Sequence, residues 1–276
     1  MRSFRFIIAI VIALVGLATY YGSKQENPIT GESQRIALTP DQEVALGLEA
    51  APQMAAQMGG LHPDATLQAY VNAAGQTIVE KSGAKSAPYQ FRFHLLADPD
   101  TVNAFALPGG QIFITTALLK KLENEAQLMG VLGHEVGHVV GRHAAEHMAK
   151  GQLANVLAGA AGVAAADYRA SAIANMVAEV TALRYGRNDE LEADNLGLRF
   201  MSEAAYDPRA LIKVMSILEQ ASGGRARRPE WLQSHPNPGN RRESIQQYIS
   251  DKFPDGVPKN FQTGNAERFA QMQARL

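Results

Sequence analysis

The feature that most constrains this chain is a long helical pattern, from Asn124 to about Lys150, that carries four of the seven histidines. Its central letters, LMGVLGHEVGHVV, are almost free of charge, which is typical of a helix inside a core. At 276 residues the chain is long enough to bury such a helix. We therefore expect the histidines of this helix to lie within the domain and not on its surface.

Two of these histidines have the spacing of a shared metal site. His134 and His138 are four residues apart, so on a helix they point the same way and can bind one zinc ion through neutral imidazoles. Glu135 lies about 100° around the helix from His134, close to the metal but not aimed to ligate it. A carboxylate there can take a proton from a water molecule that the metal activates and deliver it to the leaving amine of a peptide. HEVGH fits the pattern H-E-x-x-H, which occurs by chance in roughly one sequence of this length in a hundred, so its context matters.

The other two histidines, His143 and His147, do not fit that spacing. The metzincin signature needs a histidine at 144, where this chain has Ala144. If the helix continues unbroken, His143 faces about 180° away from His134, and His147 shares that far face. The pair could form a second metal site, but surface or capping histidines near a helix end are several-fold more common. Neither is assigned to the catalytic metal.

A third ligand is expected from the acidic stretch RNDELEADNLG. Glu190 and Asp194 are four apart at the start of a helix predicted from about Asp189 to Glu203, whereas Glu192 should point elsewhere. One carboxylate, Glu190, can complete a His, His, Glu set that leaves a position open for water. Asp194 can accept a hydrogen bond from the outer nitrogen of a ligating histidine. Alone, the stretch would be an acidic first turn favoured by the helix dipole; beside HEVGH, the ligand interpretation is preferred.

The N-terminal segment has the layout of an export signal. Two arginines precede an apolar run from Phe6 to Ala18, so residues 1–22 are expected to be a signal peptide or an N-terminal membrane anchor. The small residues Gly16 and Ala18 suit cleavage, whereas Tyr20 and Tyr21 suit an interfacial anchor, and both alternatives stay open. A buried N-terminal helix is disfavoured, because core helices rarely stay apolar for so long at a chain start.

The remaining sequence predicts a mainly helical α+β fold with one small β-sheet. Residues 23–39 are polar, contain proline and glycine, and indicate a linker. Residues 40–250 are expected to form the domain, and residues 251–276 a C-terminal tail. Strand patterns are confined to YQFRFHLLAD and to TVNAFALPGGQIFITTALL, where two short strands surround a Pro-Gly-Gly turn.

Composition narrows the functional classes. The formal net charge of -1 gives no indication of a nucleic-acid partner. The chain has no cysteine, which removes disulfides, thiolate metal ligands and cysteine nucleophiles from consideration. A lipid-modified cysteine is removed as well, so any membrane tether must be the polypeptide itself.

Together the motifs resemble a known family. HEVGH followed by ELEAD is similar to the zinc metallopeptidases (gluzincins) that include HtpX, the CAAX prenyl endopeptidases, mitochondrial Oma and bacterial periplasmic quality-control proteases. VNAFALPGGQIFITTALL, AAYDPRALIKVM and SHPNPGNRR agree, and the resemblance runs from about residue 62 to residue 248. It implies a zincin-type metalloprotease domain with one zinc ion per chain, bound by His134, His138 and Glu190, and with Glu135 as the catalytic residue. The several membrane helices of HtpX are absent, as is a C-terminal repeat domain, so the resemblance implies the minimal soluble, exported branch.

One more histidine lies in a stretch shared with that family. His235 opens the pattern H-P-x-x-x-x-R, which Arg241 closes, and prolines at 236 and 238 stiffen the loop. A neutral His235 over the active site could occupy the open position of the zinc and keep the protease latent. It could instead stabilise the oxyanion during turnover, or be a loop histidine bonded to backbone. Arg241, at the other end of the pattern, is a candidate for the same gate or oxyanion role. The first alternative is preferred, because a secreted hydrolase needs a restraint.

These observations predict a zinc-dependent endopeptidase in the periplasm or on the periplasmic face of the inner membrane, acting on misfolded or unassembled envelope proteins. The alternative is an envelope chaperone or assembly factor with little proteolysis. Glu135 argues against it, because a structural metal needs no base beside it. A small-molecule hydrolase is disfavoured by NAFALPGG, since an extended segment there can pair with a substrate backbone, although an interior hairpin would look the same. The substrate and the oligomeric state stay open.

Overall fold

The computed structural model describes residues 2–165, 185–222, 230–235 and 240–276. The helices in these ranges are α1 (Arg2–Gly22), α2 (Pro40–Gln57), α3 (Ala65–Glu80), α4 (Thr116–Leu119), α5 (Glu125–Val140), α6 (His143–Ala165), α7 (Arg187–Glu203), α8 (Arg209–Ser222), α9 (Glu230–Ser234), α10 (Arg241–Lys252) and α11 (Ala266–Gln273). The strands are β1 (Lys24–Glu26), β2 (Ser33–Arg35), β3 (Arg92–Leu96), β4 (Ala104–Ala106) and β5 (Gln111–Thr115). The predicted α+β, mainly helical architecture is confirmed.

The larger sheet has three strands in the order β3-β5-β4. β3 runs parallel to the central β5, and β4 runs antiparallel to it. The predicted Pro-Gly-Gly turn joins β4 to β5, and Gly109 there has a φ of 76°, a conformation that glycine adopts without strain. β4 therefore forms one edge of the sheet, and no other strand of the described ranges pairs with its outer side.

The core surrounds α5, which is buried at every position from Ala126 to Val140. α7 packs along α5 so closely that a Cβ atom on Gly137 would lie 2.7 Å from the carbonyl oxygen of Ala193. A residue without a side chain is needed at such an approach. The contact between the two helix backbones brings the facing side chains of His134 and Glu190 to one place.

The helix α5 is shorter than its sequence pattern indicated. α5 ends at Val140, Arg142 has a φ of 55°, and α6 begins at His143. The prediction of one uninterrupted helix to about Lys150 was wrong. The left-handed conformation of Arg142 is held from outside, because its guanidinium donates to the buried carboxylate of Glu43 through Nε at 2.9 Å and also through Nη2. A distant ion pair thus stabilises a backbone conformation that a side chain disfavours locally.

The segment predicted as a linker, residues 23–39, contains an antiparallel hairpin formed by β1 and β2. The side-chain amide of Asn27 donates to the carbonyl of Val140 at 2.8 Å, and that of Gln34 donates to the carbonyl of Gly141. The last carbonyls of a helix have no partner within the helix. The hairpin therefore caps the C-terminal end of α5 and is packed against the domain.

One helix of the described ranges, α1, is long and apolar enough to cross a membrane, judged by length and composition. Its window Ser3–Gly22 has a mean hydropathy of 2.1, and 6% of that window is buried. At the other end of the chain, the side chain of Gln273 donates to the carbonyl of Leu119 at 3.2 Å. The predicted C-terminal tail thus contains α11, which packs against the domain.

Candidate active site

Four side chains from α5, α7 and the residue after α9 converge in one group: His134, His138, Glu190 and His235. One ligand atom from each lies within 4.8 Å of the others, and all four residues are at most 2% exposed. The Nε2 atoms of His134 and His138 are 3.1 Å apart. The carboxylate of Glu190 lies 3.6 Å from Nε2 of His134 and 3.4 Å from Nε2 of His138. The structure therefore brings together the three ligands predicted from the sequence and adds His235 to them.

The donor atoms of this group fit a metal ion. Two Nε2 atoms that face each other at 3.1 Å share at most one proton, so a cation between the lone pairs resolves their repulsion. Nε2 of His235 is buried and makes no hydrogen bond, which is costly unless something else satisfies it. Imidazole nitrogen and carboxylate oxygen are the donors that first-row divalent metals take in proteins.

Asp194 and Arg241 support the metal group, which consists of His134, His138, Glu190 and His235. Oδ1 of Asp194 lies 2.9 Å from Nδ1 of His134, and Arg241 donates to both carboxylate oxygens at 2.7 Å. Nη1 of Arg241 also lies 2.7 Å from Oε2 of Glu190, but the angles there are not those of a hydrogen bond. Burial opposes ionisation of Asp194, yet Arg241 outweighs it and holds the pKa of Asp194 below its ordinary value. Burial likewise opposes ionisation of Glu190, but His235 and the other cationic neighbours hold the pKa of Glu190 well below its ordinary value.

His143, which sequence reasoning left without a role, contacts the metal group from outside. Its Nδ1 lies 2.9 Å from Nδ1 of His138, and its Nε2 lies 3.3 Å from Oε2 of Glu192. The break between α5 and α6 turns His143 towards His138, whereas an unbroken helix would have pointed it away. Gly141, just ahead of Arg142, was the one local indication of a break.

Neither Glu192 nor His147 belongs to the metal group of the described residues. Glu192 points away from Glu190 and towards His143, as its contact shows. Nε2 of His147 lies 2.7 Å from Oδ2 of Asp189 and is part of a separate pair.

Two aromatic side chains that the sequence analysis did not single out cover the site. Tyr185 stacks on His138 with ring centroids 4.0 Å apart, and Trp231 stacks on His235 at 4.8 Å. The indole Nε1 of Trp231 donates to Oε1 of Glu135 at 3.2 Å. Glu135 is fully buried, and its carboxylate faces this indole N–H. The one sequence signal was that Trp231, the sole tryptophan, stands four residues before a histidine.

His235 lies among the three predicted ligands and Glu135. Its Nδ1 is 2.9 Å from Oε1 of Glu190 and 3.3 Å from Nε2 of His134, and its Nε2 is 3.7 Å from Oε1 of Glu135. Burial alone would lower the pKa of His235, but the carboxylates of Glu190 and Glu135 outweigh burial and raise it. The prolines expected to stiffen this segment, at 236 and 238, lie outside the described residues.

Two histidines and an intervening glutamate on one helix, completed by a glutamate from a later helix, define a zincin-type metallopeptidase site. The sequence agrees with that class over most of its length. Residues 65–249 match the profile of Peptidase family M48. The chain belongs to this metallopeptidase family.

Curated relatives carry protease names. The beta-barrel assembly-enhancing protease of Yersinia pestis is 29% identical over 224 residues, which is 78% of this chain and 45% of the relative. The protein of that name from Escherichia coli (strain K12) is 30% identical over 226 residues, again 78% and 45%. The mitochondrial metalloendopeptidase OMA1 of Schizosaccharomyces pombe is 28% identical over 264 residues, which is 91% of this chain and 73% of the relative. The chain thus spans about half the length of the two bacterial relatives.

Proposed function

We propose that this protein is a zinc-dependent endopeptidase of the cell envelope that hydrolyses misfolded or unassembled proteins. The observation that carries the proposal is the position of Glu135 beside the group formed by His134, His138 and Glu190. Oε2 of Glu135 is buried and makes no hydrogen bond, so it is available to accept a proton. A purely structural metal would have no use for such a base.

One zinc ion per chain, when bound by His134, His138 and Glu190, supplies polarisation of a water molecule and of the scissile carbonyl. Glu135 accepts the proton of that water on Oε2 and then delivers it to the leaving amine, which returns the carboxylate to its ionised state. Asp194 fixes the tautomer of His134, because Oδ1 of Asp194 accepts a hydrogen bond from Nδ1 of the ring. The ring proton of His134 therefore sits on Nδ1, and Nε2 is free to bind. The water oxygen ends on the new carboxyl group, so hydrolysis needs no other reactant.

The edge strand β4 supports a polypeptide as the substrate. It packs beside α5, and its outer side pairs with no strand of the described ranges. An extended chain can add to such an edge through backbone hydrogen bonds. Backbone recognition does not depend on sequence, which suits unfolded proteins as substrates. The apolar helix α1 and the name of the bacterial relatives support the envelope as the place.

His235 provides the restraint in this proposal. It fills the space between the ligands and Glu135, where a water molecule or a carbonyl oxygen would have to bind during hydrolysis. The indole of Trp231 donates to Oε1 of Glu135, the same oxygen that lies nearest His235. His235 must move before catalysis, so in this proposal the protease is latent until that side chain is displaced. Arg241 is held by Asp194 and Glu190, which supports a positioning role and not the gate or oxyanion role considered from the sequence.

An envelope chaperone or assembly factor is the second candidate, and the burial of Glu135 under Trp231 is the observation that favours it. A site that stays closed would leave the protein with little proteolysis. The Glu135→Gln variant separates the candidates, because a chaperone would keep its activity without the base.

Digestion of casein, or of an unfolded outer-membrane protein, by the full chain in detergent tests the proposal. We expect cleavage that a chelator stops and that Glu135→Gln abolishes while about one zinc ion per chain remains bound. The matched control is Glu80→Gln, which changes an exposed carboxylate on α3 and should cleave at the parent rate. Cleavage by Glu135→Gln at the parent rate, or loss of its zinc, would contradict the role assigned to Glu135.

A further inference from the structure

We infer that α1 stays attached to the mature protein and enters a lipid bilayer together with the second half of α6, so that lipid is the partner of this helix pair. Export through an N-terminal segment is compatible with a cleaved signal or with an anchor. The contacts of α1 favour the anchor, and they place a second helix beside it. The inference does not depend on the catalytic chemistry proposed above.

α1 and α6 make a close contact through small residues. A Cβ atom on Gly16 would lie 2.6 Å from Cγ1 of Val156, so the two helix backbones approach closely there. Further along, Ala9 is 8% exposed and Ala160 is 4% exposed. Small residues at such a contact are typical of helix pairs within membranes. Gly16, which suited a signal cleavage site in the sequence, is thus a packing residue of the folded protein.

The rest of α1 is an apolar surface without a protein partner in the described ranges. Large side chains on it are between 56% and 68% exposed: Phe4, Phe6, Ile7, Ile10, Leu14 and Val15. A helix of 20 residues is about 30 Å long, which is the thickness of the hydrocarbon layer of a bilayer. Exposed apolar surface on this scale marks an interaction site, and a bilayer is the occupant whose dimension matches it.

The charge pattern of α6 changes where α1 leaves the domain. The first two turns of α6 contain the ion pair of Glu146 and Lys150, whereas residues 151–165 contain no charged residue. Ala149, just before the change, lines the same apolar cavity as Tyr20 of α1. Both helices therefore pass from polar to apolar surroundings at the same level, as expected at a membrane–water interface.

The same level is marked by aromatic and basic side chains. The guanidinium carbon of Arg35 lies 5.6 Å from the ring centroid of Tyr20 and 5.0 Å from that of Tyr21. Tyrosines of this kind are enriched where helices leave a membrane. Arg35 belongs to the hairpin that caps α5, so α1 is joined to the catalytic helix through packed structure. Removal of α1 would leave Arg35 without these rings and would expose further the side chain of Val156, which is 37% exposed beside α1.

The absence of cysteine allows a direct test of the helix contact. A Cβ atom on Gly16 lies 3.4 Å from Cβ of Val156, which is near the distance of about 3.5–4.5 Å found in disulfides. In membranes from cells that express the full chain, Gly16→Cys/Val156→Cys should therefore form an intramolecular disulfide on mild oxidation. Gly22→Cys/Val156→Cys is the control and should form none, since Gly22 has no neighbour within 4 Å. A mature chain that begins after residue 18, or no disulfide in the first variant, would overturn the inference.

A second measurement tests the bilayer itself. Leu157→Cys, placed at a position 37% exposed on α6, should resist a water-soluble maleimide in vesicles of phosphatidylethanolamine and phosphatidylglycerol. Lys150→Cys, about two turns earlier, should be modified at least about ten-fold faster, because the reagent does not enter hydrocarbon. Equal modification at both positions would show that α6 lies in water and would overturn the inference. A disulfide between two copies of Ile10→Cys would do so as well, because it would identify a second chain as the occupant.

Discussion

Arg241 and Asp194 form a two-pronged ion pair in which Nε and Nη2 of the guanidinium each lie 2.7 Å from one carboxylate oxygen. The pair is buried, and the same carboxylate faces Nδ1 of His134. The orientation of His134, a proposed metal ligand, is therefore set by an arginine that belongs to a different helix. Loss of either partner would leave a buried charge unpaired, which costs several kcal/mol, on the order of 3–5.

Arg241→Lys is expected to weaken metal binding by about ten- to a hundred-fold, because a lysine cannot donate to both carboxylate oxygens in this geometry. Competition with a chromophoric chelator measures the affinity directly. Arg242→Lys is the control, since Arg242 pairs with Glu219 at the surface and should bind metal like the parent. Equal affinities for the two variants would exclude the positioning role of Arg241.

Glu190→Ala should lose both metal and activity, because it removes a ligand and leaves two histidines to hold the ion. Asp194→Asn should be intermediate, with metal affinity lower by roughly ten- to a hundred-fold, since it disturbs the partner of His134 and not a ligand. Metal content after dialysis distinguishes the two. Full retention of metal by Glu190→Ala would remove Glu190 from the ligand set.

His143→Ala is expected to lower metal affinity by about ten-fold, because it removes the group that faces Nδ1 of His138. From the sequence alone, Glu192→Ala should leave metal and activity unchanged. Because Glu192 contacts His143, we instead expect Glu192→Ala to lower metal affinity slightly, as His143→Ala does. His147→Ala is the control, because His147 pairs with Asp189 outside the group. Unchanged affinity in His143→Ala would show that its contact with His138 does not position the ligand.

His235→Ala should raise the basal cleavage of an unfolded substrate, because it removes the side chain that fills the site. If His235 instead stabilised the oxyanion, the same change would cut turnover by roughly a hundred-fold or more. The two roles thus differ in sign. The visible spectrum of the cobalt-substituted protein provides a second readout. An unchanged spectrum together with unchanged kinetics would separate His235 from the site.

Asn27→Ala should lower the free energy of unfolding by about 1–2 kcal/mol, because it leaves the carbonyl of Val140 buried without its donor. Thermal unfolding of the full chain in detergent measures the change. Thr30→Ala changes a side chain of the same turn whose hydroxyl accepts from the N–H of Glu32 and not from α5, so this variant should unfold near the parent temperature. Equal stability of both variants would contradict the capping role of the hairpin.

The site could be predicted where its geometry is local. His134 and His138 share a helix, and so do Glu190 and Asp194, so the period of the α-helix fixes the direction of each side chain. That the two helices meet was implied by the family resemblance. The contact that lets the helices meet, between Gly137 and the backbone of Ala193, cannot be predicted from either helix alone.

The rest of the site depends on contacts between distant parts of the chain. The turn at Arg142 exists because Glu43 of α2 holds its guanidinium, and no pattern near the turn contains that partner. The role of His143 follows from that turn, so it was missed for the same reason. Tyr185 and Trp231 look in the sequence like ordinary core aromatics, and only their place over His138 and His235 distinguishes them.

The packed aromatic cover has a consequence for the lifetime of a bound ion. The residues of the metal group are at most 2% exposed, and the rings of Tyr185 and Trp231 lie directly on two of them. An ion held there can leave only when those rings separate, so its rate of escape is governed by how often the cover opens and not by the strength of coordination. Added chelator should then extract the metal at a rate that does not change with chelator concentration. A polypeptide that opens the cover should speed that extraction. The residence time of the ion then measures how often the cover opens.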